Sequence, residues 1–275
     1  MKIAVWNTLP ADLLASGFAS GPHKERFDIR RVTEDECERL LREREVDVAL
    51  LPTLAVLRGT DDFDVLPAVA LSSWSYPFAR LVIDHGLDEP VARVAFDSDH
   101  EQEAFLTRLT LREHYKMEPE FVSMPGAPLR ELLEADADAH LLVGASVPTM
   151  SFDRLTLDIG QEWYELAQYP MCWGLFVARK HEAGPDTIRA IRLGVEASEK
   201  HRNVWIRAQE TSQDLHVFYA EDLRLRLDDL IESSLSEYRQ YLFFYELIED
   251  VRDIPVVYLD EDEEEEEDSD EAPRI

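Results

Sequence analysis

Cysteine is scarce in this 275-residue sequence, which contains only Cys37 and Cys172. The two residues form no Cys-x-x-Cys pair and have no histidine cluster beside them, so neither a disulfide framework nor the ligand spacing of a zinc site is present. We therefore expect two buried or half-buried free thiols, a reducing compartment and no bound metal.

Long apolar runs are absent as well. No stretch approaches the roughly 20 apolar residues of a membrane helix. The first ten residues carry Trp6, Asn7 and Pro10 instead of the basic segment and apolar run of a signal peptide. We expect a cytoplasmic protein that has no membrane partner.

Positive charge is the third deficiency. The chain has 28 basic residues against 58 acidic ones, and its formal net charge is −30. A surface that binds nucleic acid or anionic lipid needs concentrated lysine and arginine, so the composition disfavours both partners. Such acidity is typical of proteins from halophiles that accumulate salt.

Several catalytic motifs are also missing. The sequence has no Gly-x-Gly-x-x-Gly, no Gly-x-x-x-x-Gly-Lys-Ser/Thr, no Gly-x-Ser-x-Gly and no His-Glu-x-x-His. These motifs mark dinucleotide sites, phosphate-binding loops, serine hydrolases and zinc proteases. We therefore expect no cofactor.

The sequence does contain alternating strand and helix patterns, and its 45% hydrophobic content suffices for a large core. Thr33 followed by Glu36 matches a capping box at the start of an amphipathic helix. The apolar runs on either side of this helix predict a right-handed parallel strand-helix-strand unit. Strands are predicted at 1–6, 27–32, 46–52, within 64–83 on both sides of the insert 72–77, at 91–96, within 121–144 and before Lys180.

Four ordered motifs are Trp6 to Pro10, Val46 to Pro52, Leu111 to Phe121 and Asp158 to Leu166. Together they resemble the chorismate dehydratase family of the futalosine pathway of menaquinone biosynthesis, and its naphthoate-synthase relatives. The resemblance extends over nearly the whole chain except the acidic C-terminal tail.

The resemblance implies an α/β fold of the two-lobed periplasmic-binding-protein type (type II), in which each lobe is a mixed, mainly parallel sheet flanked by helices. Lobe one is expected at 1–86 plus 178–258 and lobe two at 87–177, with 259–275 as a disordered acidic tail. The ligand is expected in the cleft, beside the loops that follow the strands.

By this resemblance Asn7 is the expected catalytic residue. The expected substrate-binding residues lie in four loops and are Thr8, Ser72, Ser73, Asp97, Ser98, His100, Gly144 and Ser146. A structural role is the alternative for each polar residue: Asn7 is suited to a turn, the serines and Asp97 are suited to caps, and His100 is suited to an exposed helix start.

The implied activity is the elimination of water from chorismate, a small-molecule carboxylate, by a monomer or homodimer. Two departures from the family pattern weaken this interpretation. The segment from Asp99 to Glu103 places carboxylates where the family has hydroxyl groups, and Ala145 replaces an aspartate. The alternatives are the 1,4-dihydroxy-6-naphthoate synthase branch and a diverged binding protein without catalysis.

Overall fold

Ten strands in two five-stranded sheets form the framework of the computed structural model, which describes residues 1–7, 9–21, 24–209 and 212–257. The first sheet has the order β2-β1-β3-β10-β4. Its strands are β1 (Lys2–Trp6), β2 (Asp28–Val32), β3 (Val48–Pro52), β4 (Phe63–Ser73) and β10 (Met171–Arg179). β1 runs parallel to β2 and β3, whereas β10 runs antiparallel to β3 and β4.

The second sheet has the order β7-β6-β8-β5-β9. Its strands are β5 (Ala79–Ile83), β6 (Arg93–Phe96), β7 (Glu120–Ser123), β8 (Ala139–Val143) and β9 (Leu155–Asp158). β6 is parallel to β7 and β8, and β5 is antiparallel to β8 and β9. Both sheets are therefore mixed, as the resemblance implied, but neither is mainly parallel, because each has two parallel and two antiparallel strand pairings.

Helices cover the sheets. They are α1 (Leu9–Ser20), α2 (Glu34–Arg42), α3 (Thr53–Arg58), α4 (Glu101–Glu113), α5 (Leu129–Leu133), α6 (Ile159–Ala167), α7 (Pro185–Ala208), α8 (Gln213–Val217) and α9 (Asp229–Phe244). The predicted cap of α2 is present, because the Thr33 hydroxyl accepts a hydrogen bond from the Glu36 N–H at 3.4 Å. α1 packs closely on α7 at Gly17, where a Cβ atom would lie 2.3 Å from the Ser198 nitrogen.

The apolar strands explain the core. β3 and β10 are buried along almost their whole length, as expected for strands covered on both faces. Cys37 and Cys172 are buried free thiols, as the sequence predicted.

The chain passes between the sheets at 74–78, after β4, and again between β9 and β10. The expected lobe boundaries at 87 and 178 differ from these positions, since β5 belongs to the second sheet and β10 to the first. The apolar run 64–83 contains both β4 and β5, and the chain crosses between the sheets at 74–78, within this run and not at its end. We propose a division at these two crossings. The predicted tail at 259–275 lies outside the described residues.

Candidate site between the two sheets

One edge of the first sheet gathers the ends of three strands. β1 and β3 run parallel to each other, so their last residues, Trp6 and Pro52, lie at the same edge. Because β10 is antiparallel to β3, with Gly174 opposite Pro52, its first residues lie at the same edge. Ser72 and Ser73 at the end of β4 pair with Cys172 and Met171 at the start of β10. Asn7, Ser72 and Ser73 therefore belong to one edge.

The second sheet has a corresponding edge. β6 ends at Phe96, and the next residue is Asp97. β8 ends at Val143, opposite Ala79 at the start of β5, and Arg80 lies opposite Asp158 at the end of β9. Both chain crossings join this edge to the edge of the first sheet. Gln102 on α4 also hydrogen-bonds Leu54 and Trp173, so the two edges lie close together, and the space between them is the candidate inter-lobe site.

The predicted residues of the first edge differ in how they are held. Asn7 is exposed, and its backbone N–H donates to the Val32 carbonyl at 2.9 Å. The Ser72 hydroxyl is fully buried and has no hydrogen-bond partner among the described residues. The Ser73 hydroxyl accepts from Trp173 Nε1 at 2.7 Å and donates to the Ser75 carbonyl at 2.5 Å. Thr8 lies outside the described residues.

On the second edge, Asp97 orders the loop before α4. Its Oδ1 accepts from the backbone N–H groups of Asp99 at 3.1 Å and Gly126 at 2.9 Å. Ser98 and His100 are half-buried, and His100 occupies the N-cap position of α4, where its side chain makes no capping bond in the described structure. The first N–H groups of α4 are therefore not occupied by a capping side chain.

The loop after β8 is the remaining predicted element. Gly144 has φ +146, in the region that favours glycine, and its N–H donates to the Phe78 carbonyl at 2.9 Å. Ser146 is exposed, and its carbonyl accepts from the Thr149 hydroxyl at 2.7 Å. The hydrogen bond to Phe78, in the crossing segment 74–78, places Gly144 at the edge of the second sheet.

Aromatic residues of the insert 72–77 pack on protein partners. The rings of Tyr76 and Trp173 stack at a centroid distance of 3.8 Å and an angle of 19°. Trp74 makes an edge contact with Tyr164 at 5.1 Å. One face of Tyr76 is therefore covered by Trp173, and both rings are buried.

Gln102, which the sequence reasoning did not select, joins the two edges directly. Its amide oxygen accepts from the Leu54 N–H at 2.9 Å, and its amide nitrogen donates to the Trp173 carbonyl at 2.9 Å. All three groups are buried. The start of α4 is thereby fixed to the first sheet.

Glu103 is a second residue near this edge that the sequence did not predict as part of the site. Only 5% of it is exposed, and burial raises the pKa of its carboxyl group. Burial also raises the pKa of Glu34 well above its usual range, and the nearby charge of Glu103 adds to this effect. Thr107 and Thr110 follow Glu103 at helical spacing on α4 and are buried with it, which no local sequence pattern indicates.

A cavity of about 290 Å³ lies beside these groups. Its walls include Glu34, Leu54 and Arg58 on one side and Asp99 and Gln102 on the other. Carboxylates outnumber arginines in its lining, so an anion bound there needs hydrogen-bond donors or neutral carboxyl groups beside it.

Within the described ranges, no group of three or more His, Cys, Asp or Glu side chains has an arrangement that could hold a metal ion. The same part of the chain contains no helix that is long and apolar enough to cross a membrane.

The family comparison decides the identity of the chain. The sequence profile of a family described as menaquinone biosynthesis matches residues 1–243. The chain belongs to this menaquinone biosynthesis family. The match covers both sheets and both edges of the inter-lobe site, so a role in menaquinone biosynthesis is supported.

Solved structures show the fold of this family member. Protein AF1704 from Archaeoglobus fulgidus is 20% identical, with a TM-score of 0.66 over 90% of this chain and 98% of that one. The Candida albicans CA3427 gene product, described as having the generic periplasmic binding protein fold, is 14% identical, with a TM-score of 0.60 over 95% and 98%. The aliphatic sulphonate binding protein SsuA from Escherichia coli is 12% identical, with a TM-score of 0.64 over 94% and 92%. The predicted periplasmic-binding-protein-like fold is confirmed.

Proposed function

We propose that this chain is a chorismate dehydratase, a carbon-oxygen lyase that eliminates water from chorismate to give 3-[(1-carboxyvinyl)oxy]benzoate. The observation that carries the proposal is the family match over residues 1–243. The position of Asn7 directly after β1 supports it. The proposal places this small-molecule carboxylate between the two facing edges.

The reaction removes the ring hydroxyl and the proton beside the enol ether, and aromatisation of the ring supplies driving force. The protein then needs to position the substrate, polarise the departing hydroxyl and exclude water. In this proposal the Asn7 amide hydrogen-bonds the reacting centre, and the Ser72 hydroxyl supplies a buried hydrogen bond. The uncapped start of α4 offers N–H groups to a substrate carboxylate.

The carboxyl groups near α4 oppose a dianionic substrate only when they are ionised. Since burial raises the pKa of Glu103 and Glu34, these two groups are neutral over a wider pH range than exposed glutamates. A neutral carboxyl group does not repel a carboxylate and can donate a hydrogen bond to it. The buried acids are therefore compatible with the proposed substrate.

A second candidate function is a binding protein that has kept the cleft and lost the chemistry. Asp99 and Glu101 favour this alternative because their carboxylates lie at the start of α4, beside the N–H groups that would bind an anion.

The deciding experiment mixes the purified chain with chorismate in multimolar potassium chloride and follows new aromatic absorption and the product mass. A dehydratase forms 3-[(1-carboxyvinyl)oxy]benzoate. The naphthoate-synthase branch ignores chorismate and cleaves a cyclic futalosine. A binder shows ligand-dependent thermal stabilisation without turnover. Either of the last two results, in a folded sample, would overturn the proposal.

A further inference from the structure

Arg239 on α9 is a buried arginine without an acidic partner in the described structure. Only 9% of the residue is exposed. Its Nη1 donates to the Arg252 carbonyl, while its buried Nε has no hydrogen-bond partner among the described residues. A guanidinium stays charged at any ordinary pH, and burying that charge without a counter-charge is costly. This arrangement is unexpected in a chain that has 58 acidic residues.

A cavity of about 300 Å³ lies against this arginine. Its lining includes Arg58, Arg239 and Arg252, the hydroxyl residue Thr60, and the apolar residues Leu247 and Ile248. Arginine and hydroxyl groups beside an apolar wall are the groups that hold a small organic or inorganic anion.

The acidic residues of this cavity leave Arg239 uncompensated. Asp61 and Asp250 both pair with Arg252, at 2.9 and 2.6 Å. Glu249 also lines the cavity, but it is exposed to solvent and forms no ion pair with Arg239 within the described ranges. Arg58 is paired with Glu101 on α4. Of the three arginines, Arg239 is thus the one that lacks a described carboxylate.

We propose that this cavity binds a small oxyanion, a carboxylate or a phosphate, with Arg239 as its buried counter-charge. The anion would tie α9 to α3 and to the segment 247–252. That segment lies beyond the family-matched residues 1–243. The proposed anion site shares Arg58 with the cavity at the inter-lobe site, but it does not depend on the proposed dehydratase activity.

The test measures the thermal unfolding midpoint of the full chain while potassium phosphate replaces potassium chloride at constant ionic strength. Potassium acetate serves as a second probe that separates carboxylate from phosphate binding. Arg239→Met removes the charge at similar side-chain length, and Arg226→Met, at an exposed arginine, is the matched control. Arg239→Lys keeps the positive charge but loses the planar guanidinium group that can bind an oxyanion through two parallel hydrogen bonds.

The proposal expects phosphate or acetate to raise the midpoint of the wild type and of Arg226→Met through binding linkage. Arg239→Met should lose this response, and Arg239→Lys should weaken the apparent affinity by about tenfold or more, as expected when charge-assisted hydrogen bonds are lost. If Arg239→Met does not fold, the Arg239→Lys result decides. A wild type that responds to neither anion would overturn the proposal, and so would an unchanged response in the Arg239 variants.

Discussion

Arg58 at the end of α3 and Glu101 at the start of α4 form a bidentate ion pair between these two helices, with N–O distances of 2.6 and 2.8 Å. The adjacent Gln102 adds two buried hydrogen bonds. It accepts one from the Leu54 N–H and donates the other to the Trp173 carbonyl. The first turn of α4 is therefore fixed to α3 and β10 at three residues, Arg58, Leu54 and Trp173. This attachment sets where the helix N-terminus lies in the inter-lobe site.

We expect Gln102→Ala to lower the free energy of unfolding by about 1–3 kcal/mol, because the buried Leu54 N–H and Trp173 carbonyl lose their partner. Gln161→Ala, at an exposed position of α6, is the control and should change stability little. Urea unfolding of both variants measures the difference. Equal effects would show that Gln102 does not connect the sheets in solution.

The raised pKa of Glu103 makes stability depend on pH. The folded chain holds this proton more tightly than the unfolded chain, so the stabilisation is complete below the ordinary glutamate pKa of about 4.3 and is lost as pH rises through the raised pKa. Glu103→Gln should therefore lose less stability than the wild type between acidic and neutral pH.

Chemical unfolding at a series of pH values checks this expectation, with Glu131→Gln on the exposed surface of α5 as the control. The control should follow the wild-type pH profile. A Glu103→Gln profile that is parallel to the wild type would mean that Glu103 ionises as an ordinary exposed acid.

Ser72 and Ser73 are adjacent in sequence, but we expect their substitution by alanine to change stability and turnover in different ways. Ser73→Ala leaves the buried Trp173 Nε1 without its acceptor and should destabilise the fold by about 1–3 kcal/mol. Ser72→Ala removes a hydroxyl that has no described partner, so stability should be nearly unchanged while turnover of chorismate falls. Thermal unfolding combined with the chorismate assay separates the two; a Ser72→Ala variant with full turnover would exclude a substrate contact.

The two-lobed fold was predicted from the family resemblance of four ordered motifs, whereas local sequence patterns predicted individual strands, helices and buried residues. The cap at Thr33, the buried strand β3 and the buried cysteines follow from local patterns, and all are present. The positions of the two crossings were not predictable in this way. β5 has the same apolar character in either sheet, and only its pairing with β8 and β9 assigns it to the second.

The inter-lobe site was predictable at the level of strand-end loops and not at the level of individual contacts. Ser72 and Ser73 were both expected to bind substrate, yet the structure engages the Ser73 hydroxyl with Trp173. The burial of Gln102 and Glu103 was not predicted, because two polar residues in the first turn of a helix are normally exposed. Their burial arises from the approach of α4 to the first sheet, which a local pattern does not contain.

The most direct test of the proposed function is product formation from chorismate by the wild type and by Asn7→Ala, each shown to be folded. Asn7 is exposed, so the variant should retain the stability of the wild type. We predict that the wild type forms 3-[(1-carboxyvinyl)oxy]benzoate and that Asn7→Ala loses most of this activity. A folded wild type that yields no dehydrated product would contradict the account.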